Sequence, residues 1–97
     1  MHLYIIQSDN TGNFKIGRSK HPNKRLKQLQ TGNPNKLKLI LVLENQGHQE
    51  KYLHNRINRW IRKKSKGEWF EFDLIGYLPD NITEKLNLEE VNTWWEN

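Results

Sequence analysis

Apolar and polar positions along the chain change their period several times, and each change marks an element. Residues 2–8 (HLYIIQS) are rich in β-branched and aromatic side chains and read as a strand. Residues 9–13 (DNTGN) carry turn chemistry, with Gly12 placed for a positive φ. Residues 14–17 (FKIG) read as a second strand, closing a hairpin whose loop is longer than a two-residue turn. Pro22 opens a helix at a position that tolerates proline. Arg25, Leu26, Leu29 and Gln30 follow at helical spacing, and Gly32 suits the C-terminal cap. Residues 37–43 (LKLILVL) alternate and then become continuously apolar, as a partly buried third strand would.

A second helix is predicted over residues 46–60, with Tyr52, Leu53, Ile57 and Trp60 on one apolar face. Residues 68–72 (EWFEF) alternate like a short strand, Phe70 and Phe72 on one side. Residues 75–86 and 88–95 read as short helices, broken at Pro79 and Asn87. The expected class is α+β, a small, mainly antiparallel three-stranded sheet flanked by helices. With 97 residues the chain makes one unit. Residues 1–72 are expected to form its core and residues 73–97 an acidic helical extension packed on that core.

Charge changes this picture more than composition does. The first 66 residues hold 15 Lys and Arg against three acids, Asp9, Glu44 and Glu50, a net of +12. The rest of the chain sets Lys85 against eight acids, a net of −7, and together they give the overall +5. A lysine-rich surface is often only a solvated face. The scarcity of acids in this body favours a polyanion site, and a nucleic-acid backbone is the commonest polyanion. There is no cysteine, which removes disulfides, thiol catalysis and zinc–thiolate sites together. The longest apolar run, residues 39–43, is strand-sized and too short for a bilayer, so no membrane partner is expected. Met1 leads at once into a strand-like segment without the pattern of a signal peptide. The expected location is cytoplasmic, in a bacterial cell or a virus-infected host.

Few residues in the basic body can do chemistry. The chain has no G-x-S-x-G, no phosphate-cradling glycine loop and no H-E-x-x-H. His48 and His54 are spaced too widely to share a helical face as a zinc pair. In a hairpin, Tyr4 and Lys15 can lie across from one another on one face. The following helix can bring Arg25 over that face. Glu50 is the one acid in a basic neighbourhood near the start of the second helix. It would attract a hard cation such as Mg²⁺, or else simply complement the helix dipole. His54 follows Glu50 by one helical turn. Arg18 and Ser19 read either as strand-end polar residues or as phosphate contacts.

Taken in order, these segments resemble the GIY-YIG nuclease superfamily, in its short viral and bacterial single-domain branch. The resemblance covers residues 3–72. It rests on Leu3-Tyr4-Ile5-Ile6, on Phe14-Lys15-Ile16-Gly17-Arg18-Ser19, and on the run from Arg25 to Pro34 (RLKQLQTGNP). It continues through Glu50 with Leu53, His54 and Arg56, and closes on Gly67-Glu68-Trp69-Phe70-Glu71. The resemblance implies that the phenol of Tyr4 helps activate the attacking water, that Gly17 lets backbone pack closely, that Arg25 holds the scissile phosphate and that Glu50 binds the metal. Three positions depart from the pattern. His2 stands where a glycine is usual, Lys15 where a tyrosine is usual, and Leu29 where many members have histidine. An ammonium at position 15 suits the same chemistry, because it favours the phenolate of a nearby Tyr4.

The resemblance thus implies a metal-dependent endonuclease acting on DNA, with Tyr4, Lys15, Arg25 and Glu50 catalytic and Mg²⁺ or Mn²⁺ on Glu50. Arg18, Lys20, Lys24, Lys27, His54 and Arg56 are the expected nucleic-acid contacts. One site on a monomer favours nicking or single-strand cleavage, whereas cutting both strands needs a homodimer or two visits. Two competing readings keep the fold without the chemistry. One is a catalytically weak nucleic-acid-binding module, and the other is a viral counter-defence protein.

Overall fold

β1 (His2–Ser8) and β2 (Phe14–Ser19) form an antiparallel hairpin at the centre of the sheet. In the computed structural model, which describes residues 1–59 and 69–96, α1 (Pro22–Gln30), β3 (Leu37–Leu43) and α2 (Gln49–Asn58) follow. Next come β4 (Trp69–Phe70), a 3₁₀ helix (Phe72–Tyr77), α3 (Asp80–Thr83) and α4 (Leu88–Thr93). The sheet is antiparallel, in the order β3-β1-β2-β4. It has four strands and not the three expected, because Phe70 and Trp69 pair with Phe14 and Lys15. The alternation of residues 68–72 marks a strand but not the strand it pairs with.

Alternation along β1 and β2 sends side chains to two different layers. Leu3, Ile5, Phe14 and Ile16 face one layer with Leu53 and Ile57 of α2 and with Phe70. Ile75, Leu78, Ile82, Leu86 and Val91 from the acidic end of the chain join the same buried cluster. Tyr4 and Ile6 face the other layer, where Leu26 and Leu29 of α1 cover them together with Leu37, Leu39 and Trp69. The helices therefore flank both faces of the sheet. A bulge at Ile5/Ile6 shifts the pairing of β1 with β3; such an irregularity bends one strand and sharpens its twist.

Several boundaries differ from the expected ones for local reasons. α2 is shorter at both ends than residues 46–60, and Trp60 lies outside the described residues, as do the basic residues 62–64 and Gly67-Glu68. Tyr52 is 54% exposed and leaves the apolar face expected of it. One residue along a helix is a rotation of about 100°, and Leu53 and Ile57 take the inward stripe. The helix expected over residues 75–86 is split. Leu78 is extended at φ −68°, ψ 144°, because a residue before proline is pushed out of the helical region. α4 begins where the Asn87 side chain accepts a hydrogen bond from the Glu90 backbone N–H.

The C-terminal helices are tied to the hairpin by polar contacts inside apolar surroundings. Gln7 is fully buried. Its amide nitrogen donates to the Gly12 and Val91 carbonyls at 2.9 and 3.1 Å. Its amide oxygen accepts from the Trp94 indole at 2.6 Å. The Trp95 ring packs against Phe72 and against Gly12, where a methyl group on the glycine would overlap it. Gly12 also holds a φ of +72°, which a larger residue adopts only under strain. Trp94 and Trp95 thus anchor the tail to the hairpin. At the surface, Lys38 pairs with Glu90 and lies over the Trp94 ring. Replacing Gln7 with Leu would leave the Gly12 carbonyl and the Trp94 indole N–H without this partner, while the Val91 carbonyl keeps the Trp95 indole, at about 1–3 kcal/mol for a buried group left unsatisfied. Urea unfolding should therefore show a much larger loss for Gln7→Leu than for Lys38→Ala, since an exposed ion pair contributes under about 1 kcal/mol. Equal losses would place the tail's anchorage elsewhere.

Candidate active site

The register of the hairpin decides which side chains can meet. Tyr4 pairs with Gly17, and Ile6 with Lys15. Tyr4, Lys15 and Gly17 therefore share one face, as expected. The residue directly opposite Tyr4 is nevertheless Gly17, with Lys15 diagonal to it. Tyr4 is 2% exposed, and its ring lies flat over the glycine. A methyl group on Gly17 would overlap the ring carbon Cζ and the hydroxyl oxygen. Gly17 is the means by which a full aromatic ring fits against the sheet at this point.

Among the described residues β4 pairs with β2 at Phe14 and Lys15. At the next residue of β2, α2 makes the contact. His54 lies at hydrogen-bonding distance, 2.8 Å, from the Ile16 carbonyl. A carbonyl can only accept, so Nε2 carries the proton and Nδ1 is the acceptor of the neutral ring. The imidazole also stacks obliquely on Phe70, centroids 5.1 Å apart. This contact brings the first turn of α2, with Glu50, beside the end of the hairpin.

The result is a cavity of about 310 Å³ lined by Tyr4, Lys15, Gly17, Arg18, Glu50 and His54, with Arg25 reaching in from α1 and the Ile16 backbone at its wall. The four residues expected to be catalytic, Tyr4, Lys15, Arg25 and Glu50, all line it. So do two of the six expected nucleic-acid contacts, Arg18 and His54. Lys15 is 5% exposed, so its ammonium is held inside the protein beside the Tyr4 face. Arg18 is exposed at the rim.

The other basic residues lie elsewhere. Lys20 and Lys24 line a second, larger depression of about 550 Å³ on the far side of the start of α1, with His2, His21, Val42 and Glu44. Lys27 is exposed in the last turn of α1 and lines neither depression. Arg56 is committed to the fold, its Nε donating to the Tyr77 carbonyl at 2.8 Å. The Ile16 carbonyl that fixes His54 had no signal in the sequence. Gln7 had one: it interrupts the apolar alternation of Leu3 and Ile5 at an inward position.

Among the described residues, no group of three or more His, Asp or Glu side chains is placed to hold a metal ion. Among the described residues that line it, the cavity offers the carboxylate of Glu50. A single carboxylate fits a hard ion such as Mg²⁺ or Mn²⁺, which keeps most of its waters and takes further oxygens from a phosphate.

A small α+β fold thus gathers a buried tyrosine and lysine, two arginines and a carboxylate around one cavity. The chain belongs to the T5orf172 domain family, which it matches over residues 1–96. This is a phage-derived domain associated with nuclease-like, GIY-YIG-related proteins. No curated protein and no solved structure matches the chain. Among the described residues, no helix is long and apolar enough to cross a membrane.

The close approach at Gly17 has a direct test. Gly17→Ala should cost about 1–3 kcal/mol of stability, the usual scale of overpacking. In a Tyr4→Ala background the same change should cost much less, and denaturant unfolding of the four variants measures that coupling. An equal cost in both backgrounds would contradict the ring-on-glycine contact.

Proposed function

We propose that this protein is a metal-dependent endonuclease that hydrolyses DNA phosphodiester bonds, acting by nicking or single-strand cleavage, with chemistry of the GIY-YIG type. The observation that supports the reading is the convergence of Tyr4, Lys15, Arg25 and Glu50 on one cavity from four different elements. Membership of the T5orf172 family supports it from a separate direction.

Each residue has a role that its chemistry suits. Arg25 grips the scissile phosphate, because its planar fork matches two phosphate oxygens and a lysine ammonium does not. Tyr4 accepts the proton of the attacking water. The Lys15 ammonium, on the same face, stabilises the phenolate that this requires. Gly17 sets where the phenol sits. Glu50 holds the divalent ion, Mg²⁺ or Mn²⁺, and His54 fixes the α2 turn that carries Glu50. When bound, the ion supplies positive charge against the phosphate and the departing oxygen. Arg18, Lys20, Lys24 and Lys27 guide the backbone towards the cavity. In this reading residues 1–72 carry the chemistry and residues 73–97 hold the hairpin in shape.

Incubation with plasmid and with single-stranded DNA in Mg²⁺ or Mn²⁺ tests the reading. Wild type should cleave, and Glu50→Ala and Arg25→Ala should not. Tyr4→Phe should cut about 10²–10⁴-fold more slowly, the usual contribution of a general base, while keeping its DNA affinity. Binding that survives in every variant with no cleavage under any metal would leave only the binding-module reading. Undiminished cutting by Tyr4→Phe would remove the phenol from the mechanism. Affinity should also fall steeply with added salt, as phosphate contacts release counterions; a flat response would contradict a role for the basic body in DNA binding.

A further inference from the structure

A third depression, of about 320 Å³, lies at the loop end of the hairpin and has no part in the chemistry above. Ser8, Thr11 and Asn13 form one side, Asn33 and Asn35 from the loop after α1 the other, and Trp69 the wall. Two features make it unlike an ordinary surface hollow. The first is its position. Trp69 is the cross-strand partner of Lys15. Asn13 precedes Lys15 by two residues, and such residues line one face of an extended chain. The depression therefore adjoins the candidate active site along β2, about one strand spacing away, on the order of 5 Å.

The second is its chemistry. Amides dominate the lining, and several polar groups are uncommitted. The Asn13 side chain and the Trp69 indole N–H make no hydrogen bond to the described residues. Asn33 uses only its amide oxygen, which accepts from the Asn35 backbone at 2.9 Å. Among the described residues no Lys, Arg, Asp or Glu lines the hollow, which sets it apart from the cavity holding Arg25. An aromatic wall with in-plane donors and acceptors matches one ligand class well, a nucleobase. Its face stacks on an aromatic ring, and its edge pairs with amides.

We propose that this depression is a nucleobase subsite that takes the unpaired base flanking the phosphate held at Arg25. The inference rests on the nucleic-acid reading of the cavity beside it and refines the substrate. A base inside a duplex cannot reach a hollow of this kind without leaving its stack. The preferred substrate is therefore a single strand, or a duplex with an unpaired nucleotide next to the cleaved bond.

The test is a binding scan without cleavage, in chelator. Single-stranded oligonucleotides carry one abasic residue, moved along the strand position by position. Wild type should bind about tenfold more weakly when the abasic residue reaches one particular position, as expected for loss of a stacked base. Asn13→Ala and Trp69→Phe should each reduce that penalty and leave the other positions unchanged. The Asn13 side chain makes no hydrogen bond to the described residues, so its variant should melt close to the wild type and serve as the control for folding. A penalty that is the same at every position, or that both variants retain in full, overturns the subsite and leaves the nuclease reading intact. A protein that binds none of the oligonucleotides overturns both.

Discussion

The register between β1 and β2 is the constraint on which the rest of the molecule depends. Side chains alternate along a strand, so a slip of one residue would exchange the two faces of the hairpin completely. Lys15 would then enter the apolar layer of Leu53 and Ile57, and Ile16 would stand in the cavity. The Tyr4–Gly17 pairing guards against this, because a ring fits only over a residue that lacks a side chain. The same contact sets the depth of the phenol. The bend at Ile5/Ile6 then adapts the hairpin to β3 without disturbing this pairing.

Charge is divided between two regions that nonetheless share one core. The basic body supplies the cavity and the rims of the depressions. The acidic end supplies apolar side chains inward and carboxylates outward. Their junction is carried by a buried amide, Gln7, and by two indoles, and only lightly by the surface pair Lys38–Glu90. A neutral, fully hydrogen-bonded junction keeps its strength in salt. Glu90, paired with Lys38, stays away from the cavity, whose described lining carries the carboxylate of Glu50. The positive field at the cavity is thus left standing for an anionic ligand.

Much of the layout was legible in the sequence. The hairpin, both longer helices and the third strand follow from periodicity with Pro22 and the turn residues. The meeting of Tyr4, Lys15 and Arg25 follows from a hairpin with a helix folded over it, and Glu50 joins them through the resemblance. What was not legible depends on contacts between segments. The five-residue loop left the register open, so the glycine opposite Tyr4 had no fixed partner. The alternation of residues 68–72 marks a strand without saying that it pairs with β2. Tyr52 carries the hydropathy of a buried residue and sits outside, because Leu53 and Ile57 already fill the inward stripe of α2. Arg56 resembles any other basic residue until its Nε–H is seen donating to the Tyr77 carbonyl.

The short pairing of β4 with β2 has a consequence for how the protein behaves in company. An exposed strand edge is a template on which another chain can build. Among the described residues, the outer edge of β2 at Ile16 is met by the His54 imidazole, and the surface beside it is charged and recessed. A neighbouring strand from another molecule would have to displace His54 and bury Arg18 and Glu50 to dock there. The side chain that shapes the cavity wall thus also guards the strand edge beside it.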